Sequence, residues 1–324
     1  MQGAEPLDWP EVEFALLAEA GPLEAQALLL VESLRRFGGR HAGATVTVAS
    51  PRPSRRPSCA TIRALQQLGA EYLALDIAGN CPAYGTSWRV HTLAQLERRP
   101  GPPVLVQLDS DTLFLGDVGA LCVETDVSAR PVDVKGMATS GPGERFEPYW
   151  SELCRLAGVD LETLPVVRTT VDNVTVRASH NGGFVAARRA TGLFECADEL
   201  FRRSVDADLR PHAGAGLNIR AGTGEVGTDG SEWWGSAQAA TSVAAASLGI
   251  DIGPLDDRVN VPVHAWDQLQ IKPEPVIHAH YHHLLGSPLP QPNALLDGSV
   301  VLAGDAGAWL RARIPLGATD ASRP

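Results

Sequence analysis

The sequence predicts an α/β fold with a mostly parallel central sheet flanked by helices. Three observations carry this expectation. Strand-like and helix-like segments alternate through the first third of the chain. A largely apolar run at 103–108 leads into the pair Asp109 and Asp111. Beyond residue 118 the pattern turns irregular and rich in glycine.

The elements follow in order. Residues 12–18 form an apolar run after a polar leader and are the first strand. Pro22 suits a first helical turn, and Leu23, Ala27, Leu30, Val31 and Leu34 recur at helical spacing until Gly38 and Gly39 stop them. Residues 44–49 are the second strand. Ser58 caps a helix carrying Ile62, Leu65 and Leu68, Gly69 ends it, and 72–75 is the third strand. A loop with Pro82 and Gly85 leads to a helix at 87–98, whose Val90, Leu93 and Leu96 share a face.

Further along, 131–138 is expected as a strand, 145–156 as a helix and 169–176 as a strand. Residues 180–183 are expected as a sharp polar turn before a short strand at 184–187. Six glycines between 214 and 230 mark a long loop, of the kind that is either a functional lid or binding loop or disordered. The loop leads to Trp233 and Trp234, which are either sugar platforms or core anchors of the next helix. A helix at 236–248, strands at 251–253 and 275–281, a closing helix at 304–313 and a frayed end at 318–324 complete the chain. The expected organisation is one domain over 1–324, with a nucleotide-sugar-binding half at 1–117, an acceptor-binding and catalytic half at 118–290 and an extension at 291–324.

Composition narrows the function. With 44% hydrophobic and 20% charged residues the chain is of ordinary globular type, and its net charge of -11 argues against a nucleic-acid partner. The five cysteines are scattered, without C-x-x-C spacing, as in a chain of reduced thiols. No signal peptide is expected from the first ten residues. No membrane span is expected either, because the longest apolar candidate, 25–34, contains Glu32. The expected location is the cytoplasm.

The chemistry concentrates where the apolar run ends. In extended chain Asp109 and Asp111 project to one side while Ser110 points away. Neighbouring carboxylates repel unless a cation lies between them, and hard divalent ions such as Mg²⁺ or Mn²⁺ take carboxylates together with phosphate oxygens. No G-x-G-x-x-G follows the first strand, and no phosphate loop of the G-x-x-x-x-G-K-[ST] kind occurs. A bound diphosphate would therefore rely on metal and side chains. A second cluster, His278, His280, His282 and His283, holds four of the nine histidines, and strand parity puts the first three on one face. Gly182 and Gly183 permit close approach of a ligand.

Taken in order, these motifs resemble the glycosyltransferases of GT-A fold, in particular the glycogenin and lipopolysaccharide galactosyltransferase type. "LVQLDSDTLF" is similar to that family's strand and Asp-x-Asp, "SHNGGFVAARR" to its Asn-x-Gly segment and "SAQAATSVA" to its Gln-bearing helix start. "LDDRVNVP" is similar to its Asn segment, giving Asn260, and "VIHAHYHH" to its late His motif. The resemblance implies a nucleotide-diphosphate sugar as donor, a uridine diphosphate sugar being favoured, and an acceptor it does not identify. It implies Mn²⁺ or Mg²⁺ on Asp109, Asp111 and His280, with His278 as the alternative register. It places Arg89, Asp109, Ser110, Asp111, Gly182 and Gly183 at the donor, and Asn181, Gln238 and Glu232 in catalysis, with retention of configuration. The family's acid before the Gln is replaced here by Ala237, which makes Glu232 the candidate to supply that carboxylate.

Two other classes share some of these features. A nucleotide-sugar-binding protein without turnover is compatible with Ala237. A phosphohydrolase of the haloacid dehalogenase type also begins with Asp-x-Asp after an apolar strand. Such an enzyme carries the motif on its first strand, whereas three strands precede it here.

Overall fold

The computed structural model describes residues 9–221, 223–282, 284–285 and 293–314. The expectations for the leader at 1–8, for His283 and for the end at 318–324 lie outside the described residues. The first part keeps the expected alternation: β1 (Val12–Leu17), α1 (Pro22–Phe37), β2 (Thr45–Ser50), α2 (Cys59–Gln67), β3 (Glu71–Ala74), α3 (Ser87–Arg98) and β4 (Val104–Leu108). Local chemistry sets the boundaries. Pro22 occupies the first turn of α1, and Ser58 Oγ accepts the Thr61 N–H at 3.1 Å to cap α2.

After β4 come β5 (Thr112–Phe114), β6 (Val127–Pro131), α4 (Glu147–Ala157), a hairpin of β7 (Val166–Arg168) and β8 (Thr175–Arg177), β9 (His180–Arg188) and α5 (Leu193–Asp206). A second hairpin, β10 (Arg220–Ala221) and β11 (Gly224–Glu225), lies in the glycine-rich stretch before the short α6 (Thr228–Ser231) and α7 (Ser236–Ser247). β12 (Ile252–Pro254), β13 (Val261–Pro262), β14 (His278–His280) and α8 (Ala306–Arg313) follow.

Seven strands make the central sheet in the order β12-β6-β9-β4-β1-β2-β3. All neighbours are parallel except at β9, which runs antiparallel to both β4 and β6. Strand alternation sorts the core into two layers. Phe14 and Leu16 of β1 pack with Leu30 and Leu34 of α1, whereas Ala15 joins Leu93 of α3, Phe194 of α5 and Ala244 of α7 on the opposite face. Each large apolar side chain buried in this way stabilises the fold by roughly 1.5–3 kcal/mol. Among the described residues no helix is long and apolar enough to cross a membrane. The five cysteines are free thiols.

The strand expected at 275–281 is confined to His278–His280, the loop expected at 214–230 contains the β10–β11 hairpin and the start of α6, and three further elements differ from expectation. The strand expected at 131–138 lies earlier, at Val127–Pro131, because Pro131 has no N–H to continue the ladder and the register with β9 shifts there. The single strand expected at 169–176 is the β7–β8 hairpin, turning where Asn173 takes a φ of 58°. Residues 180–183 are not a turn but the first residues of β9, all buried.

Candidate functional site

The C-terminal ends of β1, β2, β4 and β6 reach one edge of the sheet, and because β9 is reversed its first residues reach the same edge. Side chains after parallel strands and residues opening an antiparallel one therefore meet there, which is where open α/β sheets bind ligands. A cavity of about 710 Å³ occupies this edge. Its walls include Arg89, Asp109, Ser110, Asp111, Asn181, Gln238 and His280.

Backbone pairing builds the acidic turn. Asp109 N–H donates to Gly183 O at 3.0 Å, Thr112 Oγ1 donates to Asp109 O at 2.8 Å, and Ser110 Oγ donates to Leu17 O at 2.7 Å at the end of β1. The serine hydroxyl is thus committed to the scaffold. β5 pairs antiparallel with β14, setting His280 opposite Thr112, and Tyr281 N–H donates to Asp111 O at 3.0 Å. This register brings the late histidines to the aspartates. His280 Nε2 is 3.4 Å from Asp111 Oδ1 and 3.9 Å from Asp109 Oδ2. His282, held at a φ of 54° that side-chain-bearing residues seldom adopt, turns its ring to 4.3 Å from that of His280 and 3.9 Å from that of His264.

One ligand atom each from Asp111, His280 and His282 lies within 4.8 Å of the others. One carboxylate and two imidazoles at that spacing suit a divalent cation. Burial would raise the Asp111 carboxyl, but the imidazoles of His280 and His282 outweigh it and hold the group well below the usual carboxylate range. Asp109 faces a different partner, an ion pair with the Arg89 guanidinium.

The alternative histidine register is not the one that reaches the cavity. His278 is fully buried between Phe114 and Phe184, with ring centroids 4.7 and 5.0 Å away, and burial pushes its imidazole down to about 3. It is a core residue one strand pair deeper than His280.

The two glycines act by what they lack. A Cβ on Gly182 would stand 2.6 Å from Arg89 Nη2, and one on Gly183 would stand 2.6 Å from His280 Nδ1 and 2.7 Å from Asn260 Oδ1. Gly182 also borders a small adjoining pocket with Gln107, His180 and Gln238. Asn181 is held at both ends of its amide: its Oδ1 accepts from Gly183 N–H at 2.8 Å and Asn260 Nδ2 at 3.2 Å, and its Nδ2 donates to Asp133 Oδ2 at 3.1 Å.

Glu232 is placed elsewhere. Its carboxylate accepts from Arg210 and from Gly214 N–H at 2.7 Å, fastening the start of the glycine-rich stretch, and it is not among the cavity walls. The two tryptophans divide. Trp233 is buried beside Phe201, whereas Trp234 is half-buried and lines the cavity. The hairpin of the glycine-rich stretch contributes Arg220, Ala221, Thr223 and Glu225 to the same wall.

The site also holds residues that the sequence reading did not single out. Asp133, just past the end of β6, lines the cavity. Its carboxyl is raised by burial, against the pull of His280, His264 and Arg130. The signal was an aspartate following a strand, as at Asp109, obscured by Arg130 and Pro131 in a segment of mixed polarity. Arg52 and Arg55, beyond β2, and Arg220 add cationic side chains to the walls. Arg52 is paired with Glu19, whereas among the described residues Arg55 and Arg220 carry no ion pair.

Residues 14–211, more than half of the chain, match the family model described as Rhodobacterales glycosyltransferase domain. No curated protein matches the chain.

Proposed function

The chain belongs to that glycosyltransferase family, and from this premise we propose that it transfers a sugar from a nucleotide-diphosphate donor, with a uridine diphosphate sugar favoured, to an acceptor hydroxyl. We propose further that a divalent ion, Mn²⁺ or Mg²⁺, assists from the Asp109–Asp111 turn. The observation that carries the reading is the convergence of Asp111, His280 and His282 on the wall of the large cavity. The fit to an ion is supported by His280 itself: it is buried, its Nδ1 has no hydrogen-bond partner, and its Nε2 faces both aspartates.

In this reading Asp111, His280 and His282 would hold the ion, with Asp109 beside them. When bound, the ion supplies positive charge that favours departure of a diphosphate. The chain's own residues do the remaining work. Arg89 fixes Asp109 and adds a cation at the same wall. Arg55 and Arg220 offer guanidinium groups to anionic oxygens. Trp234 presents a ring face suited to a sugar, and Gln238, in the first turn of α7, presents an amide able to bond sugar hydroxyls.

Thermal melts with a panel of uridine, guanosine and adenosine diphosphate hexoses, each with and without Mn²⁺, test the proposal. One donor class should stabilise the protein only when Mn²⁺ is present, through mass action, and Asp111→Ala should abolish the shift. Stabilisation by no donor would overturn the reading. Slow release of sugar from the stabilising donor would separate a transferase from a binding protein, and the first-formed anomer would report whether configuration is retained, as the resemblance implies.

A further inference from the structure

Asp133 has the surroundings of a group kept for a substrate. Its main chain is pinned: Val171 N–H donates to Asp133 O at 2.7 Å, and Thr170 N–H donates to Val132 O at 3.1 Å. Its side chain is pinned as well. Oδ2 accepts from Asn181 Nδ2 at 3.1 Å and Oδ1 accepts from Thr170 Oγ1 at 3.3 Å. Each carboxylate oxygen has two acceptor positions, so one on each oxygen is left for a further donor.

No cation lies within ion-pair distance of Asp133 among the described residues. Arg130 turns its Nη1 to Asp257 O at 2.8 Å instead. The other acids of the cavity wall are differently occupied. Asp109 is paired with Arg89, Glu19 with Arg52 and Asp111 with His280, while Glu225 accepts from Asn218 at 3.2 Å. A carboxylate oriented from both sides, lining a cavity and holding acceptor capacity in reserve, is suited to a neutral hydroxyl donor.

We propose that Asp133 receives the hydrogen bond of the acceptor's attacking hydroxyl, and that Asn181 and Thr170 are the residues that position it. The inference rests on the glycosyl-transfer reading above. As the new C–O bond forms at the sugar, the bond to the diphosphate breaks and its electron pair leaves with the diphosphate. The hydroxyl proton passes to the Asp133 carboxylate. This assignment gives Asn181 a positioning role, since its Oδ1 accepts from Gly183 and Asn260 and one N–H of its Nδ2 holds Asp133.

Water and azide serve as the two acceptor probes, with the nucleotide sugar that stabilises the wild-type protein as donor. Water must surrender a proton. Azide forms a C–N bond without one. Asp133→Asn keeps the shape and an acceptor oxygen, so its donor-dependent thermal shift and donor KM should match wild type, while kcat for hydrolysis falls by about 100-fold or more. Added azide should restore sugar cleavage in the variant at least tenfold, with a glycosyl azide as product. A merely structural role would depress both reactions together.

Hydrolysis by Asp133→Asn within threefold of wild type, or equal loss with water and azide, would overturn the inference while leaving the transferase reading intact. Failure of the wild-type protein to bind any donor would instead overturn the reading itself. Should the Asn variant not fold, Asp133→Glu is the second test. It displaces the charge by one methylene, and an unchanged kcat would again count against the assignment.

Discussion

His280 Nε2 stands 3.4 Å from Asp111 Oδ1, and the backbone sets this distance. β14 pairs with β5 so that His280 lies across from Thr112, and the Tyr281 N–H to Asp111 O hydrogen bond closes the register one residue further on. A shift of one residue would send His280 to the opposite face.

Because two strands define the pair, Asp111→Asn and His280→Gln should leave the fold in place and weaken Mn²⁺ by more than about tenfold, the scale seen even for outer-shell changes. Calorimetric titration of Mn²⁺ checks this. At a hundred times its dissociation constant the ion should stabilise the wild-type protein by about 2.7 kcal/mol, and either variant should lose most of that gain at the same concentration.

Gly183→Ala tests the packing behind the pair. Its Cβ would fall 2.6 Å from His280 Nδ1, and a buried imidazole on β14 has little room to withdraw. Overpacking of this kind costs about 1–3 kcal/mol. A lowered melting temperature together with a weaker Mn²⁺ shift is expected. Full retention of both would show that His280 is free to move.

Glu97 gives a pH dependence far from the site. Its carboxylate accepts the Glu195 N–H at 2.8 Å at the start of α5, and burial raises it to about 7 from an ordinary 4.5. The sign follows from linkage. Stability associated with the protonated group is complete below about 4.5 and is lost as pH rises through about 7, by on the order of 3 kcal/mol. Glu97→Gln should therefore melt above wild type at pH 8 and converge with it near pH 4.5. Parallel melting curves across that window would refute the assignment.

The two tryptophans should separate stability from binding. Trp233→Ala removes a core side chain packed on Phe201 and should cost about 3–5 kcal/mol in chemical denaturation. Trp234→Ala removes a half-buried wall residue. It should cost about 1–2 kcal/mol and weaken the donor-dependent thermal shift. A reversed order would mean that the stacking surface has been placed on the wrong ring.

The sequence by itself determined the alternation of the first seven elements, since apolar spacing at periods of two and 3.6 is a local property that survives without a partner. It also determined that Asp109 and Asp111 stand where a buried strand ends, and that histidines gather late in the chain. Only the tertiary structure decided which histidine is which. His278 and His280 have the same parity, but one is sealed between Phe114 and Phe184 and the other opens on Asp111, because depth along a strand is fixed by the element packed beside it. The same holds for the carboxylates. Glu232 sits near the right helix yet is spent on Arg210 and the Gly214 N–H, while Asp133, inconspicuous in a segment interrupted by proline, is carried to the cavity by β6, which runs in the same direction as β4 on the far side of β9. Pairing between distant strands has no local signature, and that pairing is what assembles the site.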